Sequence, residues 1–179
     1  RQILHTGTFK DVKNREKDNL LVLSKNGIRI GLLNYTYGTN GLPFSDPVYV
    51  NLVDSVLIKK DVTNAKNKDL DKLVVFVHWG YEYRDFPNSY QKKYNRFFRD
   101  LGVDIVIGSH PHVIQPMEYS KKNNQEFLTV FSLGNFVSNQ RAERKDGGAM
   151  LRLSFKKTNN NLLISVSYTH LRAHETFTD

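Results

Sequence analysis

The sequence predicts an α/β fold, and three stretches carry that prediction. Residues 73–77 (Leu-Val-Val-Phe-Val) and 103–107 (Val-Asp-Ile-Val-Ile) are short, β-branched apolar runs followed by small or turn-forming residues, the pattern of buried strands. Between them, 87–101 carries apolar side chains at helical spacing. Strand, helix and strand in this order form a βαβ unit, which makes the two strands parallel and the crossover right-handed.

The elements follow in order. Residues 20–23 and 28–33 read as a β-hairpin closed by an Asn26-Gly27 turn. The stretch 35–47 is rich in Gly, Asn and Pro and reads as a loop on a surface or at a site mouth. A helix is expected over 53–67 from the spacing of Val53, Val56, Leu57 and Val62. In the helix at 87–101, Pro87 falls in the first turn. Tyr90, Tyr94, Phe97, Phe98 and Leu101 form its apolar face, and Gly102 stops it. Residues 127–131, 149–155 and 162–166 are further strands, with β-rich connectivity. There is no internal repeat, and low complexity is confined to 159–161.

A chain of 179 residues, 39% hydrophobic, can bury one core and reads as one domain. Mean hydropathy is −0.50, and no apolar run approaches the roughly 18 residues that span a bilayer. With no cysteine, disulfides, thiolate ligands and cysteine nucleophiles are excluded. The net charge is +8, from 26 Lys+Arg against 18 Asp+Glu, an excess that suits a polyanionic partner. The basic residues are scattered and not interleaved with aromatics, so nucleic acid is not an expected partner.

Both termini look cut. Arg1-Gln2-Ile3 reads as the interior of a longer protein. Residues 166–176 resemble a translated transposase adapter of the kind used in sequencing libraries. The expected native portion is therefore 1–165, with 166–179 a non-native tail, which removes His170 and His174 from the candidate ligands. Without the tail the balance is 25 basic against 16 acidic residues, or +9.

The chemistry concentrates in three histidines. His78 follows the first apolar run, and His110 and His112 follow the second, in Gly108-Ser109-His110-Pro111-His112. Neutral imidazole is the commonest side-chain metal ligand. A single strand-end histidine is ordinarily a structural hydrogen-bonder, but three at two neighbouring strand ends point to a metal site at the sheet edge. Pro111 stiffens the link between two of the rings. Glu82, four residues after His78, could orient an imidazole, ligate directly, hold a loop cation, or be a solvated carboxylate. Trp79 could wall the site or pack in the core. Asn135, after the Gly134 turn, could donate to a substrate oxygen or to a loop carbonyl; Gln115 and Gln140 stand near the same turns. Ser109 beside His110 lacks a third partner and the Gly-x-Ser-x-Gly pattern, so no hydrolytic triad is expected.

These residues carry a resemblance. His78-Trp79-Gly80-Tyr81-Glu82-Tyr83, Gly108 to Pro116 and Ser132-Leu133-Gly134-Asn135-Phe136-Val137 resemble motifs of the CapA family of poly-γ-glutamate capsule synthesis proteins, and Asn34 to Gly41 is similar to its characteristic loop. The resemblance implies a metallophosphatase-like four-layer α/β/β/α sandwich with two divalent cations, of Mn, Zn or Fe type. His78 and His110 would share one ion, and His112 would serve the other. It also implies an anionic polymer (poly-γ-glutamate) or phosphoester substrate, partners in the capsule synthesis machinery, and an extracytoplasmic place reached through an upstream membrane anchor. The family's Gly-Asp, Asn-Leu-Glu and Asn-Asn-His motifs do not occur here. They supply a bridging carboxylate, an Asn ligand and a catalytic His, so this C-terminal portion is expected to bind metal weakly and to be inactive alone. A non-enzymatic component with a vestigial site is the alternative.

Overall fold

The computed structural model describes residues 3–122, 125–158 and 161–172. A two-residue strand β1 (Thr8–Phe9) and a short helix α1 (Val12–Asp18) come first. The Asp11 carboxylate caps α1, accepting from Asn14 N at 2.6 Å. The expected hairpin follows as β2 (Leu21–Lys25) and β3 (Ile28–Thr36). Asn26 and Gly27 both take positive φ, 52° and 73°, as a two-residue turn matching the strand twist requires. The short β4 (Tyr49–Val50) pairs with β1, and α2 (Ser55–Lys66) begins at an Asp54 cap.

The βαβ unit is present as β5 (Lys72–His78), α3 (Ser89–Asp100) and β6 (Ile105–Ser109). Pro87 lies ahead of α3 and not in its first turn. Asn88 takes the cap, in a reciprocal pair with Gln91. Then come β7 (Met117–Lys122), β8 (Gln125–Val130), β9 (Gly147–Thr158) and β10 (Asn161–Arg172). β10 continues past the expected end, and Val166 to Arg172 pair with Leu153 to Gly147, so part of the suspected tail lies in a strand. His174 falls outside the described residues.

The main sheet runs β2-β3-β5-β6-β8-β7. Its four inner strands are parallel, and antiparallel β2 and β7 form the edges. Alternation along β5 sorts the layers. Leu73, Val75 and Val77 pack with Ile58, Val62 and Ala65 of α2 and Phe98 of α3. Val74, with Ile105 and Ile107 of β6, faces the other way, onto Leu151, Leu153, Phe155 and Ile164 of the β9–β10 hairpin. Helix, mixed-sheet and second-sheet layers of the expected sandwich are thus all present among the described residues. By the same alternation, His78 stands on the hairpin side, at the carboxyl edge of the sheet.

Candidate metal centre

Register brings the histidines together. β5 and β6 are parallel, and His78 lies opposite Ser109, so the chain leaving β6 carries His110 out beside His78. Their ring centroids are 4.5 Å apart, and those of His110 and His112 are 6.0 Å apart. Both residues of the turn sit at positive φ, His110 at 102° and His112 at 60°. L-residues rarely adopt this conformation, and it persists only where the surroundings impose it. Gly108, just before, is obligatory: a Cβ there would collide with the Phe131 carbonyl and the Trp79 indole nitrogen.

Ligand atoms of Glu82, His110 and His112 all lie within 4.8 Å of one another. His78 stands outside that trio but in ring contact with His110. Two hydrogen bonds set the imidazole tautomers. The Thr36 hydroxyl gives its proton to the Gly38 carbonyl at 2.7 Å, so at His78 Nδ1, 3.0 Å away, it accepts. Asn135 donates Nδ2 to the Lys145 carbonyl at 2.8 Å and to Gln140 Oε1 at 3.2 Å. Its Oδ1 therefore faces His112 Nδ1 at 2.9 Å and accepts from it. In both rings the proton sits on Nδ1, and the Nε2 lone pair is left for a cation. At His112 that Nε2 lies 4.0 Å from Glu82 Oε1.

Burial, aided by His110 and His112, pushes His78 down to about 4. Burial also lowers His110, against the pull of Glu82. Both are therefore neutral near pH 7, the form that ligates. Two to three imidazole nitrogens and one carboxylate oxygen, without thiolate, fit a borderline divalent cation and leave coordination positions open.

Two sequence candidates stand elsewhere. Trp79 does not wall the cleft: it is wholly buried in the helix-side core, stacked on Phe131 and donating to the Phe131 carbonyl at 3.0 Å. Gln115 is 2% exposed and serves as an anchor. It accepts from Gln91 Nε2 and donates to the Arg84 carbonyl, each at 2.7 Å, and so pins the loop that carries Glu82. Asn135 holds His112 through its Oδ1 and gives its Nδ2 to the Lys145 carbonyl, the loop-carbonyl role that its place after Gly134 allowed.

Sequence reasoning missed the aromatic walls. Tyr37 lies over His78 and His110, with centroids at 5.4 and 4.7 Å. Tyr83 stacks on His112 at 5.7 Å and carries the Lys145 ammonium 3.6 Å above its ring. Tyr37 falls within the 35–47 loop, read as lying on a surface or at a site mouth; Tyr83 gave no signal beyond its place beside Glu82.

The model of the family described as bacterial capsule synthesis protein PGA_cap matches residues 1–140. The chain belongs to that family. It is 30% identical over 160 residues to capsule biosynthesis protein CapA of Bacillus anthracis, spanning 87% of this chain and 37% of that protein. It is 34% identical over 135 residues to PGA biosynthesis protein CapA of Bacillus subtilis (strain 168), spanning 74% and 34%. The chain thus covers little more than a third of either curated relative. A putative 5'-nucleotidase from Staphylococcus aureus, solved with alpha-ketoglutarate, superposes with a TM-score of 0.57 at 13% identity, over 98% of this chain and 34% of that one. A 5'-nucleotidase precursor from Thermus thermophilus gives 0.51 at 15% identity, over 96% and 33%. At these identities the likeness concerns the fold, which is of metallophosphatase type.

Proposed function

We propose that this chain supplies His78, His110, His112 and Glu82 to a two-cation centre of Mn, Zn or Fe type in a CapA-like capsule synthesis protein. That protein acts in biosynthesis or export of an anionic cell-surface polymer such as poly-γ-glutamate, with the polymer or a phosphoester as substrate. The observation that carries the reading is the convergence of His110, His112 and Glu82 as acceptors, with His112 held by Asn135. His78 and His110 would hold one cation, and His112 with Glu82 would hold the other. A bound divalent cation supplies Lewis-acid polarisation of a phosphoryl or carbonyl oxygen. Thr36 and Asn135 keep the imidazole protons on Nδ1. Tyr37 shields one end of the cleft, and Lys145 presents a positive charge at the other, suited to an anionic substrate. Residues upstream of this portion complete the centre and anchor it outside the cytoplasm. No helix among the described residues is long and apolar enough to cross a membrane.

Calorimetric titration of the chain with Mn²⁺ or Zn²⁺ tests the site. Uptake should be lost in a His110→Ala/His112→Ala double variant and kept in His5→Ala; equal uptake in the double variant would overturn the assignment. The +8 charge favours a second reading, in which the protein holds polymer without turning it over. Turnover of phosphoesters or γ-glutamyl amides by the metal-loaded longer protein separates the two. The boundary at 165 is tested by resequencing the source gene across it.

A further inference from the structure

Behind His112, side chains form a series of hydrogen bonds that runs one way. The Lys145 carbonyl can only accept, which fixes the Asn135 amide and makes its Oδ1 the acceptor for His112 Nδ1. Asn135 Nδ2 also donates to Gln140 Oε1 at 3.2 Å, so the Gln140 amide is fixed in turn. Gln140 Nε2 donates to the Tyr83 hydroxyl oxygen at 3.1 Å. An amide nitrogen does not accept, so the phenol keeps its own proton to give. No group among the described residues accepts it. The series therefore starts at a metal-site imidazole and ends in a donor without an acceptor. Hydrogen bonds aligned head to tail polarise one another in the same sense, which strengthens that last O–H.

Tyr83 is also held firmly in place. Its N–H donates at 2.8 Å to the carbonyl of Pro111, between the two histidines, and its backbone sits at φ 61°, which a tyrosine rarely adopts. The ring stacks on His112 and carries the Lys145 ammonium. Arg144 is taken up by Asp85, whereas Lys145 makes no ion pair among the described residues. Tyr83 is 42% exposed, so a ligand can reach it. Beside His112, then, stand a polarised neutral donor and a cation, each without an acceptor of its own.

We propose that the Tyr83 hydroxyl binds the substrate: with the Lys145 ammonium, it grips an anionic oxygen of a ligand seated at the His112–Glu82 end of the cleft. This rests on the metal-centre reading above and adds to it the neutral donor that holds the ligand. Tyr83→Phe isolates the hydroxyl, because the ring, its stacking and its contact with Lys145 remain. Calorimetric titration of the chain at saturating Mn²⁺ uses inorganic phosphate and, separately, glutarate; the tighter ligand tells a phosphoryl from a carboxyl source. Affinity for that ligand should fall about tenfold or more in Tyr83→Phe, the loss of one hydrogen bond to a charged group. Mn²⁺ uptake should be unchanged. Tyr81→Phe removes a hydroxyl from a more exposed position in the same loop and should alter neither. Equal ligand affinity in Tyr83→Phe, equal losses in the two variants, loss of Mn²⁺ uptake in Tyr83→Phe, or no binding of either ligand would each overturn the assignment and leave the metal centre standing. Failure of the unaltered chain to take up Mn²⁺ would overturn both readings.

Discussion

Two clusters of polar side chains serve this domain in opposite ways. On the helix side of the sheet, Arg15, Asp61, Tyr35, Asn51 and Asn19 form a closed set. The Tyr35 hydroxyl donates to Asp61 at 2.9 Å, and Asn51 donates to Asn19 Oδ1 at 2.7 Å. Burial, reinforced by the Asp61 carboxylate, drives the Tyr35 phenol far above its usual range. Every charge there has met its opposite. At the carboxyl edge, His110, His112 and Glu82 bring lone pairs and a carboxylate together without a donor between them, on a backbone held at positive φ. A closed cluster stabilises the fold, whereas an open one is left for a cation. The presence of ionisable groups does not separate the two; the balance of donors and acceptors does.

The largest expected effect lies in the closed cluster. Asp61→Ala strands a buried guanidinium and should cost about 3–5 kcal/mol, read from the urea midpoint. A cost below about 1 kcal/mol would show the cluster to be wetter than its burial suggests. In the open cluster, Asn135→Ala should weaken divalent-metal affinity by about 10- to 100-fold, and Asn135→Asp, which restores the acceptor to His112 Nδ1, should recover much of it. Affinity unchanged in Asn135→Ala would remove its positioning role.

His110→Gly sharpens the contrast. It relieves a non-glycine residue at φ 102° and should stabilise the metal-free protein by about 1 kcal/mol while reducing metal uptake. A clear destabilisation would mean that the imidazole contributes packing that outweighs the backbone strain. The last effect is that of pH. His78 resists protonation down to about 4 in the folded chain, against an ordinary value of 6.5. Between those values the unfolded chain binds more protons, so metal-free stability should fall as pH drops through this window, and His78→Gln should flatten the slope. A slope unchanged in that variant would assign the pH dependence to other groups.

The sequence made the open cluster legible and hid the closed one. The β5–α3–β6 unit, the Asn26-Gly27 hairpin and the histidines at strand ends were readable because period, turn chemistry and ligand type are local signals. Helix α1, Val-Lys-Asn-Arg-Glu-Lys-Asp, has no apolar face to detect; its buried residue is Arg15, whose partner Asp61 lies 46 positions away. The two-residue strands β1 and β4 are too short to show alternation, and β7 is a polar edge strand. Trp79 and Gln115 take the structural one of their two expected roles, for a shared reason. Each adjoins a ligand motif in sequence, but the strand pleat or a buried amide partner turns it inward.

The amide relay from Asn88 through Gln91 and Gln115 to the Arg84 carbonyl gives the Glu82 loop a mechanical dependence on α3. Opening of the first turn of that helix would release Gln91, then Gln115, and leave the loop on its remaining ties, the Tyr83 N–H on the Pro111 carbonyl and the Asp85–Arg144 pair, while the strands stay paired. Warming should therefore loosen the grip on a cation before the sheet melts. Amide exchange at the start of α3 would then slow on metal binding, although none of its own side chains is a ligand.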